Sequence, residues 1–150
     1  MLIILLLSVL TGCKNSAGVD PKAIMNDIKM QYADTMTDMR DLEDSADLQT
    51  YYYIEPEDVR TFAAAIKTDA ADAPVEIVLV EAIDENAAQN VYTALERRYN
   101  SIVSQYASYS PEQLSMAQAC EVTQNGSFVT MIVAEDYDGM IKLVNNALKG

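Results

Sequence analysis

Apolar residues recur in this chain with two periods, and the switches between them divide it into elements. Asp20-Pro21 reads as a helix start, with Asp as N-cap and Pro at the first helical position. Ile24, Ile28 and Tyr32, with Met25 beside them, then follow at helical spacing, so a helix is expected to about residue 33. Between residues 35 and 47 acids dominate, with Met36, Met39 and Leu42 threaded through at spacings of three. This pattern suits a helical turn or an irregular crossover. Residues 48–54 contain Tyr51-Tyr52-Tyr53, an aromatic run that reads as a strand. Glu55-Pro56-Glu57-Asp58 then signals a helix with Val59, Phe62, Ala63 and Ile66 on one face, followed by a small polar loop at 68–74.

The second half is more sharply patterned. Residues 75–83 form the best strand, with Val75, Ile77 and Leu79 on one face and Val78, Val80 and Ala82 on the other. Apolar residues on both faces indicate a central strand. Asp84 caps a long helix from Glu85 to about residue 107, with Ala88, Val91, Leu95, Ile102 and Tyr106 inward. Ser110-Pro111-Glu112-Gln113 opens a short helix to about residue 117. A hairpin follows, its arms at 119–124 and 127–134 joined by a type I′ turn at Asn125-Gly126. That turn would pair Gln124 with Ser127, and would set Cys120, Val122, Val129, Met131 and Val133 on one apolar face. The last helix places Met140, Ile141, Val144 and Leu148 inward. Helices and strands mix without strict alternation and the hairpin is antiparallel. The expectation is an α+β domain of two layers, a small, mostly antiparallel sheet against several helices, one of them long.

The N-terminus has a different character. An apolar run of about 10 residues is too short to span a bilayer core, which needs about 20, and fits the h-region of a signal peptide. It ends at Leu10-Thr11-Gly12-Cys13, which resembles the lipobox of bacterial lipoproteins. By that resemblance residues 1–12 are removed and Cys13 carries a diacylglyceryl group. Residues 13–19 would be a tether, and 20–150 one domain, long enough to bury a core. The address implied is the outer face of the cytoplasmic membrane.

Composition narrows the chemistry. The net charge is −13, and no basic patch is available to neutralise phosphates, which argues against nucleic acid. It also argues against electrostatic adhesion to anionic lipid, so the membrane contact falls to the lipid on Cys13. There is no His, which excludes Ser-His-Asp and Cys-His catalysis and His-based zinc sites. With Cys13 acylated, Cys120 is the single thiol, and its apolar neighbours make it a packing residue.

Taken together, the lipobox, Tyr52-Tyr53-Ile54, the strand at 75–83, the long helix ending at Tyr109-Ser110-Pro111, and Asn125-Gly126 before Phe128-Val129 resemble the DUF4358 lipoproteins of Gram-positive bacteria. The resemblance runs mainly over residues 42–150. It implies an exported, lipid-anchored domain, and it carries no catalytic residues.

Several constellations invite chemistry. Asp38, Asp41, Glu43, Asp44 and Asp47 crowd one stretch, but they lack the Ca²⁺-loop order and its Gly, so a solvated acidic face explains them better. Helix capping likewise explains Asp136-Tyr137-Asp138-Gly139. Tyr92, Tyr99 and Tyr106 lie seven apart on the long helix. Exposed, they would stack on wall sugars or meet a partner; packed, they would rim the helix–sheet contact with their hydroxyls wet, the better reading beside Val91 and Leu95. Arg97 and Arg98 on that helix suit solvent or a Glu partner, and more sharply a ligand carboxylate. No catalytic residue, metal site or cofactor is expected. The reading is a non-enzymatic, lipid-anchored module that binds a protein, peptide or wall component, with a cationic partner suiting the acidity. The alternatives are a wall hydrolase using two carboxylates and a divalent-cation binder.

Overall fold

The computed structural model of the protein describes residues 18–67 and 75–150. The lipobox at Leu10–Cys13 and the loop expected at 68–74 lie outside the described residues. The elements in chain order are α1 (Pro21–Gln31), β1 (Met39–Leu42), α2 (Ser45–Tyr52), a 3₁₀ turn (Pro56–Asp58), β2 (Val59–Lys67), β3 (Glu76–Ala82), α3 (Glu85–Tyr109), α4 (Pro111–Gln118), β4 (Val122–Asn125), β5 (Phe128–Val133) and α5 (Tyr137–Lys149). The strands form one sheet in the order β1-β2-β3-β5-β4, antiparallel throughout. The α+β class and the long helix are as the sequence indicates.

The start signals work as their chemistry requires. Asp20 accepts the Lys22 amide at 2.9 Å, Asp84 accepts the Ala87 amide at 2.8 Å, and the Ser110 hydroxyl accepts the Gln113 amide at 3.4 Å. Each satisfies a donor that the first helical turn leaves open.

The central strand β3 is buried along its whole length. Val78, Val80 and Ala82 face one core, shared with Leu95, Ile102, Val129 and Met131 under α2, α3 and α4. Ile77 and Leu79 face the other, shared with Ile28, Ile132, Met140 and Val144 under α1 and α5. Helices therefore cover both sides, adding a layer to the two expected. Fully burying each Ile, Leu or Val contributes about 1.5–3 kcal/mol, so a sheet apolar on both sides requires both covers.

Four local readings are corrected. The Tyr51-Tyr52-Tyr53 run is the end of α2, not a strand, because Asp44 caps a helix ahead of it and accepts the Ala46 amide at 2.9 Å. Residues 59–67 are β2, not a helix. Their apolar spacing imitates one helical face, but Ala63, Ala64 and Ala65 are buried consecutively, which suits a strand with both faces covered. Met39–Leu42, within the ambiguous acidic stretch, is the edge strand β1.

The hairpin register is also displaced by one residue. Asn125 pairs with Phe128, so the turn is Gly126-Ser127. Gly126 has φ +60° and Ser127 has no positive φ, the type II′ pattern with Gly first. Val122 therefore opposes Met131, and Cys120 joins the core beneath α1 and α5. That core also needs a close helix approach. A Cβ at Gly139 on α5 would run into the Tyr32 side chain at the end of α1.

Candidate functional site

A cleft of about 390 Å³ opens between the C-terminal end of α2 and the middle of α3. Thr50, Tyr51, Tyr52 and Tyr53 form one wall; Ala94, Arg97, Arg98 and Ser101 form the other. The expected solvent or Glu partner of the arginines is thus resolved residue by residue. Arg98 turns inward to Glu76, the first residue of β3, and holds it in a fork: Nε donates to Oε2 at 3.0 Å and Nη2 donates to Oε1. The buried Tyr52 hydroxyl donates to the same Oε2 at 3.4 Å. Glu76 is only 7% exposed and Arg98 is half-buried. A buried carboxylate needs such partners to offset its desolvation. The pair holds the Arg98 guanidinium firmly charged, and burial, with Glu76 beside it, pushes the Tyr52 phenol far above its usual pKa.

The outward part of the cleft is arranged differently. Arg97 is exposed; its Nε donates to Thr93 O at 3.4 Å, and among the described residues it has no carboxylate partner. Tyr51 is fixed by Arg40, which donates to its hydroxyl at 2.5 Å and stands 5.2 Å from its ring centroid. Tyr53 ends α2 in the left-handed region at φ 58°, its amide bonded to Gln49 O at 3.0 Å. Gly usually fills such a position, and a residue with a Cβ costs roughly 1–2 kcal/mol there. No core packing offsets that cost, because Tyr53 is 76% exposed.

The tyrosine stripe of α3 lies elsewhere. Tyr92, Tyr99 and Tyr106 are half-buried against the core, and burial raises the pKa of each. The Tyr99 hydroxyl donates to Ala117 O at 3.1 Å, tying α3 to α4. Cys120 is buried, its thiol donating to Met116 O and Ala134 O at 3.4 and 3.5 Å, and burial pushes its pKa up.

Other hollows lie among the described residues. One of about 440 Å³ beside α1 and β1 holds Asp41, bonded to Lys29 at 2.6 Å. Another, about 520 Å³ between α4 and α5, collects Glu112, Glu135 and Asp138 over Tyr137. The Tyr137 phenol is buried and makes no hydrogen bond of ordinary geometry among the described residues; burial, with the Glu121 carboxylate nearby, pushes its pKa up. Within the acidic stretch, Asp44 is a helix cap and Asp41 an ion-pair partner. Asp136 accepts the Thr35 hydroxyl at 2.5 Å, joining the start of α5 to the turn after α1. Among the described residues, no group of three or more Cys, Asp or Glu side chains is placed to hold a metal ion, and no helix is long and apolar enough to cross a membrane.

Sequence reasoning found Arg97 and Arg98 but not Glu76 or Tyr51–Tyr53 as their companions. One signal was present: an acid that opens a buried strand needs a polar partner, and an Arg doublet lies on the next helix.

A family profile described as a domain of unknown function, DUF4358, matches residues 31–134. The chain belongs to the DUF4358 family. No curated protein and no solved structure matches it. All the cleft residues fall inside the DUF4358 segment. That segment begins at the last residue of α1 and ends before α5, so the helical layer over the second core lies almost wholly outside it.

Proposed function

We propose that this DUF4358 chain is a lipid-anchored extracytoplasmic binding module, held to the outer face of the cytoplasmic membrane through Cys13, and non-enzymatic. The observation that carries the binding part is the division of labour in the α2–α3 cleft. Its acid, Glu76, is consumed in the Arg98 fork, while Arg97, Tyr51 and Tyr53 face outward. Tyr and Arg are the residues most enriched where binding energy concentrates. A protein, a peptide or a wall component at the membrane fits this surface. The anchoring part rests on Leu10-Thr11-Gly12-Cys13.

Each part has its own test. In the native cell, Cys13→Ala is expected to leave an uncleaved precursor without lipid; a wild-type protein that is soluble and insensitive to globomycin refutes the anchor. A photo-crosslinker at Ser101 is expected to capture one discrete partner that the same probe on the opposite side, at Asn146, does not. Indiscriminate or absent labelling at Ser101 refutes the module.

A further inference from the structure

We infer that the α2–α3 cleft is a carboxylate-binding site, in which Arg97 grips the carboxylate of a small ligand and Tyr53 covers the group that carries it. The inference rests on the reading of this cleft as a binding surface and names its ligand chemistry. Three independent observations converge.

Charge is the first. Acids outnumber bases by 23 to 10 in this chain. Lys29 and Arg98 each have a carboxylate; Arg97, like Arg60, has none among the described residues, and of these two it is Arg97 that lines the cleft. The carboxylate that lies deepest beside the cleft, Glu76, is already held at both oxygens. The cleft therefore keeps one unmatched guanidinium, whose planar fork fits a carboxylate with two parallel bonds.

Backbone conformation is the second. Tyr53 occupies a left-handed position that Gly would fill without strain, and its ring is exposed at the cleft mouth. Strain that no internal contact repays is a mark of a side chain retained for contact with something else. Size is the third. About 390 Å³ lies at the scale of small-molecule sites, with the Ser101 hydroxyl one helical turn from Arg97 as a further polar contact. The carboxylate's source is either a peptide chain end or an acidic sugar, since both present a flat, partly apolar body beside the charge.

The test is an NMR titration of the full chain with acetyl-alanyl-alanine and with glucuronate, against the amide-capped dipeptide and glucose. Both carboxylates, or one of them, are expected to shift Tyr53 and Arg97, identifying a chain end, an acidic sugar or both as the source. The neutral analogues should bind at least about tenfold more weakly. Arg97→Gln should weaken the carboxylate about tenfold without moving Tm. Tyr53→Gly should weaken it while raising Tm, a combination that a merely structural tyrosine would not give. Equal binding of neutral analogues, no shift at millimolar ligand, or full affinity in Tyr53→Gly overturns the inference. Discrete crosslinking at Ser101 together with indifference to both carboxylates would overturn it and leave the binding-module reading standing.

Discussion

The two faces of the sheet differ in origin and in chemistry. The face under α2, α3 and α4 is built wholly from the DUF4358 segment, and its one buried charge, Glu76, is fully partnered before it reaches solvent at the cleft. The face under α1 and α5 is covered by helices from outside that segment, is mostly aliphatic, Met and Ala, carries Glu81 with the Ser127 hydroxyl donating to it at 2.8 Å, and buries the Tyr137 phenol with no hydrogen-bond partner among the described residues. On the first face polarity is organised toward the solvent at the α2–α3 cleft. On the second it is tolerated inside a seal.

The largest effect expected from this contrast comes from removing the seal. Ending the chain after Glu135 would remove Met140 and Val144 and bare Ile132 to water, leaving α1 over Ile77 and Leu79, and the loss should be comparable with the roughly 5–15 kcal/mol that holds a domain folded. Circular dichroism should then show no cooperative thermal transition. A truncated chain that melts cooperatively would mean that the sheet stands with α1 alone over its second face and that the two faces are less different than their covers suggest.

The next effect probes the partnered face. Arg98→Ala strands a buried carboxylate and should cost about 3 kcal/mol in urea unfolding. The pair Glu76→Leu with Arg98→Leu removes both charges and should restore most of that loss. If the double variant is as unstable as the single, Glu76 and Arg98 do more than neutralise one another.

One substitution made on both faces sharpens the comparison further. Tyr52→Phe deletes a hydrogen bond to Glu76 and should destabilise by about 1 kcal/mol. Tyr137→Phe deletes a buried hydroxyl that has no partner and should stabilise by about 1 kcal/mol. Chemical denaturation reads both, and equal signs would erase the distinction.

The smallest effect is at alkaline pH. Both phenols have folded pKa values raised above the ordinary 10.0, chiefly by burial. Their contribution is fully present below pH 10 and is lost as pH rises, because the unfolded chain ionises first while the folded phenols resist. Urea midpoints should fall between about pH 8 and about pH 11, and less steeply in either Phe variant. An unchanged slope would mean that these two phenols do not govern the alkaline limb.

Legibility in the sequence followed the locality of the signal. The helix starts at Asp20, Asp84 and Ser110 are short-range hydrogen bonds to the backbone, and the sequence shows them directly. Asp44 was the same signal, hidden among neighbouring acids, and overlooking it turned the tyrosine run into a strand. Residues 59–67 misled for another reason. Ala carries little strand preference, and only pairing with β1 and β3 decides their conformation. In the cleft, Arg97 and Arg98 were visible as candidates, whereas Glu76 and Tyr53 depend on a strand meeting a helix and on a backbone angle, neither of which a one-dimensional pattern records. The hairpin turn shows the limit at its finest. Asn-Gly and Gly-Ser are both good turn dipeptides, and they overlap by one residue.

The strand order has a kinetic consequence. Strands β1, β2 and β3 neighbour one another in sequence, as do β4 and β5, so the sheet consists of two locally wired blocks joined at a single seam between β3 and β5. Each block pairs over connections shorter than the one the seam must close, which spans all of α3 and α4. Until β5 arrives the central strand has one edge unpaired, with α3 packed against it. The rate at which this protein folds is therefore set where its two halves meet, and side chains along that line, Val80 against Val129 and Val78 against Met131, are where slow-folding variants should concentrate.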